Sequence, residues 1–202
     1  MALVGEQAPS GVAISDDDRL EAVSSFCDKG GIVSIGHTRS GKKLKTFYQH
    51  ERLSRIAFNP AGTQLALASW DSSVTVANVA TNQRALELLG HTRFVTDLAY
   101  SSVGHLIATT SFDNTLRIWN ASNGQLLQVD HDGSFTSVPS FSPYGQYVTD
   151  VDLDYNLHVW QSCLDCQDPS ALLAASQLYV VPQNRLTTVE LAAVKAAGGR
   201  LG

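Results

Sequence analysis

A repeat of about 42 residues constrains this 202-residue chain more than any other feature. Residues 56–66 align without a gap onto residues 98–108, and the same offset carries Ser69-Trp70-Asp71 onto Ser111-Phe112-Asp113. A further copy lies 41 residues on, in Phe141-Ser142-Pro143-Tyr144-Gly145, Asp154 and Leu157-His158-Val159-Trp160. An earlier copy, residues 12–22 and 32–41, matches at offsets of 86 and 83. Its three extra residues fall in Cys27-Asp28-Lys29-Gly30-Gly31, the natural place for a lengthened hairpin turn. Self-similarity at such a period marks a chain built from stacked structural modules, each too small to bury its own apolar surface.

The modules read as short strands. Thr115-Leu116-Arg117-Ile118-Trp119 and Ser73-Val74-Thr75-Val76 alternate apolar with polar side chains. Turn residues recur on schedule at Pro60-Ala61-Gly62, Val103-Gly104, Pro143-Tyr144-Gly145, Asp113-Asn114 and Asn123-Gly124. Three or four strands per module, joined by tight turns, make a small antiparallel sheet. The boundaries read as 11–45, 46–88, 89–129 and 130–161, with a different segment over 162–202. Composition excludes several function classes. Net charge is −5 with no basic stripe, which argues against nucleic-acid binding. No run of 18 apolar residues exists to cross a membrane, and the first residues lack the pattern of a secretory signal. Three cysteines do not make a disulfide framework and suit a reducing cytoplasm.

At Leu89-Gly90-His91 and Ser111-Phe112-Asp113-Asn114-Thr115-Leu116-Arg117-Ile118-Trp119-Asn120 the chain resembles the WD repeat (WD40), the blade of a β-propeller. The resemblance implies an all-β fold of about four propeller blades over residues 11–161, which is fewer than this family usually builds and so predicts a partial ring. It also implies a structural tetrad of His91, Ser111 (with Thr109 as the alternative), Asp113 and Trp119. A buried imidazole and a buried indole each need hydrogen-bond partners, so these residues do not read as a catalytic Ser-His-Asp set. The other modules depart from the pattern. Ala77 and Gly36 fill the Trp slot of the second and first, Gln49 fills the His slot of the second, and Asp152 fills the serine slot of the fourth. A seven-blade ring would take roughly 290 residues, so two copies could complete a ring as a homo-oligomer.

Beyond Trp160 the alternation stops. Asp168-Pro169 and Thr187-Thr188-Val189-Glu190 carry helix-start signals, which predicts a short α-helical C-terminal tail with Leu178–Pro182 extended between its helices. Trp160, Cys163, Cys166, Leu172-Leu173, Leu186-Thr187 and Glu190 together resemble the C-terminal extension of bacterial WD-repeat signalling (STAND-type) ATPases, although residues 177–186 lack the basic residues of that pattern. Cys163 and Cys166 would need a second pair to hold zinc, and Cys27 is the one cysteine left, so free thiols are expected.

No phosphate loop, catalytic carboxylate pair or nucleophile elbow appears, so the expectation is a protein with no catalytic residues, no metal and no cofactor. Ser40-Gly41-Lys42-Lys43 reads as a terminal turn, and Asp16-Asp17-Asp18 as a solvated acidic turn. What remains is surface. Trp70, Phe112 and Leu153 precede the turn Asp of successive modules, and Arg52, Phe94 and Phe135 open the innermost strands. Aromatic and Arg side chains at equivalent positions have the composition of an interaction hot spot, although packing between blades would use the same residue types. The leading expectation is a non-enzymatic scaffold or sensor that binds protein partners through a propeller face. The alternatives are the C-terminal part of a bacterial signalling ATPase, and a propeller hydrolase with a channel metal, for which Asp150, Asp152 and Asp154 all come from one blade.

Overall fold

Each module folds as the alternation dictates, with four antiparallel strands whose side chains point alternately to the two neighbouring sheets. The computed structural model describes residues 9–28, 30–131, 136–152, 156–162 and 179–181. The first sheet holds β1 (Pro9–Ile14), β2 (Leu20–Cys27), β3 (Gly30–His37) and β4 (Lys43–Gln49). The second holds β5 (Leu53–Phe58), β6 (Gln64–Ser69), β7 (Val74–Asn78) and β8 (Arg84–Leu88). The third is β9 (Val95–Tyr100), β10 (Leu106–Ser111), β11 (Thr115–Asn120) and β12 (Leu126–His131). The fourth is β13 (Thr136–Phe141), β14 (Tyr147–Asp152), β15 (Leu157–Gln161) and β16 (Tyr179–Val181). Strand order follows chain order in every sheet.

Sheet edges and sequence modules do not coincide. β4 runs four residues past position 45 and β12 two past position 129, because the alternating outer strands continue through the points at which the modules were divided. β16 lies within Leu178–Pro182, the stretch of the tail expected to be extended. Its three residues pair with Leu157, His158 and Val159 of β15, whose backbone groups would otherwise stand at an unpaired edge. The predicted helices and the Cys163/Cys166 pair lie outside the described residues.

The first strands of consecutive sheets touch, β1 against β5, β5 against β9 and β9 against β13, so the sheets fan out from a common side as propeller blades do. Three apolar clusters fill the spaces between them. Ala22, Val33, Ile35, Phe47, Ile56 and Leu65 join the first sheet to the second. Ala66, Val76, Leu88, Leu98, Ile107 and Trp119 join the second to the third. Leu106, Ala108, Ile118, Val148 and Trp160 join the third to the fourth. The first-to-second-strand turns show why the repeat tolerates variation. Gly62, Gly104 and Gly145 occupy the left-handed region there, at φ of 66°, 74° and 67°. Asp18 takes the same place in the first sheet at φ 57°, a conformation Asp adopts more readily than most residues. The acidic triplet is therefore this turn, with Asp17 Oδ1 accepting from Ser15 Oγ at 2.7 Å and from the Arg19 amide at 3.1 Å.

Candidate functional site: a buried tetrad beneath an aromatic row

The third sheet holds a four-membered hydrogen-bonded chain. His91 follows Gly90 in the loop from β8 to β9, Thr109 sits mid-β10, Asp113 lies in the β10–β11 turn and Trp119 is the last residue but one of β11. The Trp119 indole N–H donates to Thr109 Oγ1 at 2.8 Å, and Thr109 Oγ1 lies 2.8 Å from His91 Nε2. His91 Nδ1 lies 2.9 Å from Asp113 Oδ2, which also accepts from the Thr92 amide at 2.9 Å. One donor direction satisfies every member: indole to hydroxyl, hydroxyl to Nε2, Nδ1–H to carboxylate. That direction requires a neutral imidazole and an ionised Asp113. Burial lowers the His91 pKa, against the pull of Asp113, and so favours the neutral ring. Burial opposes ionisation of Asp113 as well, but hydrogen bonds from Thr115, Thr92 and His91 outweigh it and hold the carboxyl at about 2. Both groups are closed in by packing, and the chain ties the β8–β9 loop to the β10–β11 turn.

The hydroxyl of the chain belongs to Thr109, and Ser111 stands outside it. Thr109 and Arg117 are directly opposed in the β10–β11 ladder, and Thr109 alternates onto the face that carries Trp119. Two positions on, Ser111 lies at the β10 end, where a register shift separates it from Thr110. Its hydroxyl donates to the Arg93 carbonyl at 3.0 Å and accepts from the Asp113 amide at 3.1 Å, tying the loop to the turn. Gly90 completes the loop at φ 148°, where a β-carbon would strike the Arg117 guanidinium.

The fourth sheet builds a different polar set. Here the imidazole comes from His158 on β15, where in the third sheet it comes from the β8–β9 loop. His158 Nε2 lies 3.1 Å from Asp152 Oδ2, and Asn156 donates to Asp152 through its amide at 2.8 Å and its side chain at 2.9 Å. Trp160 donates to Asp150 Oδ1 at 3.3 Å. Burial of Asp152 works against its charge, but the Asn156 and His158 hydrogen bonds prevail and hold it at about 2. Among the described residues, no group of three or more His, Cys, Asp or Glu side chains is arranged to hold a metal ion.

Above the tetrad, on the side of the Asp turns, aromatic and arginine side chains form one continuous row across three sheets. The Arg52 guanidinium carbon lies 4.7 Å from the Phe26 ring centroid and 5.4 Å from that of Trp70. Trp70 stacks on Phe94 with centroids 5.2 Å apart and planes at 15°. Phe94 meets Phe112 edge-on at 6.3 Å. Trp70, Phe94 and Phe112 remain 42%, 45% and 45% exposed, so the row touches itself along its length and still presents its rings to solvent. Turn hydrogen bonds set it in place, from the Trp70 amide to Arg52 O at 3.0 Å and from the Phe112 amide to Phe94 O at 3.0 Å. Of the six residues singled out from sequence, the structure brings together Arg52, Trp70, Phe94 and Phe112, while Phe135 and Leu153 lie outside the described residues. Sequence reasoning missed Phe26. It stands 86 residues before Phe112, at the offset of the first module, and that alignment was the available signal.

Four-stranded antiparallel sheets fanned about their first strands are the blades of a β-propeller, and the third carries a His–Thr–Asp–Trp chain of the kind the WD-repeat resemblance implies. Residues 41–78 and 82–120 match the family model described as WD domain, G-beta repeat. The chain is 39% identical over 98 residues to an uncharacterized WD repeat-containing protein of Synechocystis sp., covering 46% of this chain and 28% of that protein. It is 23% identical over 137 residues to the U3 small nucleolar RNA-associated protein 21 homolog of Schizosaccharomyces pombe, covering 68% of this chain and 15% of that one. The chain thus spans less than a third of the length of either relative. Among solved structures, the computationally designed Ika4 protein superposes with a TM-score of 0.69 at 22% identity, over 81% of this chain and 96% of that chain, a likeness of fold alone.

Proposed function

We propose that this chain is a non-catalytic, cytoplasmic interaction scaffold or sensor module that binds a protein partner through the face bearing Phe26, Arg52, Trp70, Phe94 and Phe112. WD repeats and WD-repeat relatives support a protein-interaction role. The observation that carries the location is the unbroken ring-to-ring and guanidinium-to-ring contact of the row, left exposed in an otherwise well-packed fold. Residues that packed only against neighbouring blades would be covered by them, and single exposed rings need no explanation, whereas four rings and a guanidinium in contact do. The test pairs Trp70→Ala with Phe112→Ala. The double variant should keep its melting temperature within a few degrees and lose the proteins that the unaltered chain captures in quantitative affinity purification. Unchanged capture by a folded double variant would overturn the reading.

A specific observation favours self-association as a second reading. On the face of the first sheet turned away from the second, Val12 and Ile14 are 56% and 54% exposed. The outward face of the fourth sheet carries Val151, Leu157 and Val159, half-buried, by the same alternation. These two faces are the counterparts of those that pack together within the chain, so a second copy would meet the first head to tail.

A further inference from the structure

We infer that the partner bound by the aromatic row is an acidic peptide in extended form, with carboxylates gripped by Arg52 and Arg93 and an uncharged apolar residue seated on the rings between them. This names the chemistry of the partner and rests on the reading of that face as the partner site. The observation behind it is the pairing of the arginines. Arg19, Arg55, Arg84 and Arg117 each lie within 4.0 Å of a carboxylate of the chain. Arg52 and Arg93, both exposed, lie that close to none among the described residues, although acidic side chains outnumber basic ones in the sequence. Either alone would be an ordinary surface arginine, but together they bracket one row of exposed rings. The row also holds both in place. The Arg52 guanidinium lies against the Phe26 and Trp70 rings, and among the described residues no oxygen accepts from its N–H groups. Arg93 donates one N–H to the Phe112 carbonyl at 3.3 Å, which leaves the other donors of its fork unused. A carboxylate accepts two parallel N–H bonds from such a fork, and a side chain already held by its neighbours loses less freedom in making them.

Spacing and charge set the class of partner. The row steps 5.4, 5.2 and 6.3 Å from Arg52 to Trp70, Phe94 and Phe112. An extended chain advances about 3.3 Å per residue, so about five residues cover the row with an acid at each end. The exposed rings then take a large apolar side chain from the middle of that segment. Flat rings beside cations also suit single-stranded nucleic acid. Charge decides between the two. The chain carries a net −5, and Glu51 and Asp71 stand exposed next to Arg52 and Trp70 in the sequence. They repel a backbone charged at every unit and tolerate one whose charges are confined to its ends.

The test selects a random phage-displayed peptide library on the full chain and, in parallel, on the variant carrying Trp70→Ala with Phe112→Ala. Peptides held by the unaltered chain and released by the double variant are expected to carry Asp or Glu about four positions apart around a large apolar residue. A synthetic peptide of that pattern should lose roughly tenfold in affinity to Arg52→Gln and to Arg93→Gln, about 1.4 kcal/mol each. Changing the matching acid of the peptide to its amide should cost as much against the unaltered chain and almost nothing further against the corresponding Arg variant, a coupling that a change in folding alone does not produce. Row-dependent peptides without acids, no enriched peptide, or losses that simply add would each overturn the inference and leave the partner reading standing. Acidic peptides held equally by the double variant would overturn both. Oligothymidylate that displaces the selected peptide at equal concentration would assign the guanidinium groups to phosphates and overturn the inference as well.

Discussion

One hydroxyl carries the tetrad, which makes Thr109 and Ser111 a matched pair for mutation. Both are fully buried in β10. Thr109→Val keeps the shape but strands the indole N–H and His91 Nε2 in a site closed to water, at about 1–3 kcal/mol for each group. Ser111→Ala removes a tie between loop and turn and should cost about 1 kcal/mol. Urea unfolding of the two variants should therefore rank Thr109→Val as much the more damaging, and equal losses would place the bridge wrongly. Protonation offers a second measurement. The fold holds His91 below its ordinary 6.5. As pH falls the unfolded chain takes up that proton first, so stability is full above about pH 6.5 and drains away beneath it. Asp113 lies at about 2 in the fold against 3.8 in the open chain. Its contribution, about 2 kcal/mol, is present above 3.8 and is lost as pH drops toward 2. Melting temperatures should thus fall in two stages on acidification. In His91→Gln the slope between about pH 7 and 5 should flatten, and comparison with the unaltered chain cancels Asp97, whose burial raises its pKa and acts in the opposite sense.

At the scale of strands and turns, the alternation and the 42-residue spacing made the four sheets legible, because a strand that buries one side chain in two writes that period into its sequence. The aromatic row was legible for the same reason: Trp70 and Phe112, like Arg52 and Phe94, fall at one offset, and equal offsets in a repeat mean equal places in space. Phe26 escaped because three extra residues follow it and break the gapless match. The choice between Thr109 and Ser111 could not be read from spacing, since both are small hydroxyl residues on one strand face. The register shift beside Ser111 decides which of them meets the imidazole, and a β-bulge leaves little trace in composition. β16 was legible only as an extended stretch within Leu178–Pro182. Three residues carry too little periodicity to name a partner, and Tyr179–Val181 pairs with the edge of β15, twenty or more positions back in the chain. His158 illustrates a third kind of silence. Its slot is Thr75 in the second sheet and Arg117 in the third, so nothing in the repeat marked it as the imidazole that pairs with Asp152.

For the molecule as a whole, the exposed face of the first sheet sets the assembly question. If Val12 and Ile14 meet a second copy, solution mass should rise toward twice the chain mass of 21.7 kDa with concentration. Ile14→Lys should hold the protein at single-chain mass without unfolding it, since the side chain already faces solvent. A concentration-independent monomer for the unaltered chain would remove the self-association reading and leave the aromatic row untouched. Strand order carries a separate consequence, one that concerns heredity more than stability. Because every sheet is drawn from consecutive strands and no strand is lent to a neighbour among the first three, a duplicated or deleted stretch of about 42 residues adds or removes one complete sheet. Only the two faces flanking the change need to find each other again. A gene of this design can lengthen or shorten by whole copies, and copies can differ as the second and third do, with Ala77 in one where Trp119 stands in the other.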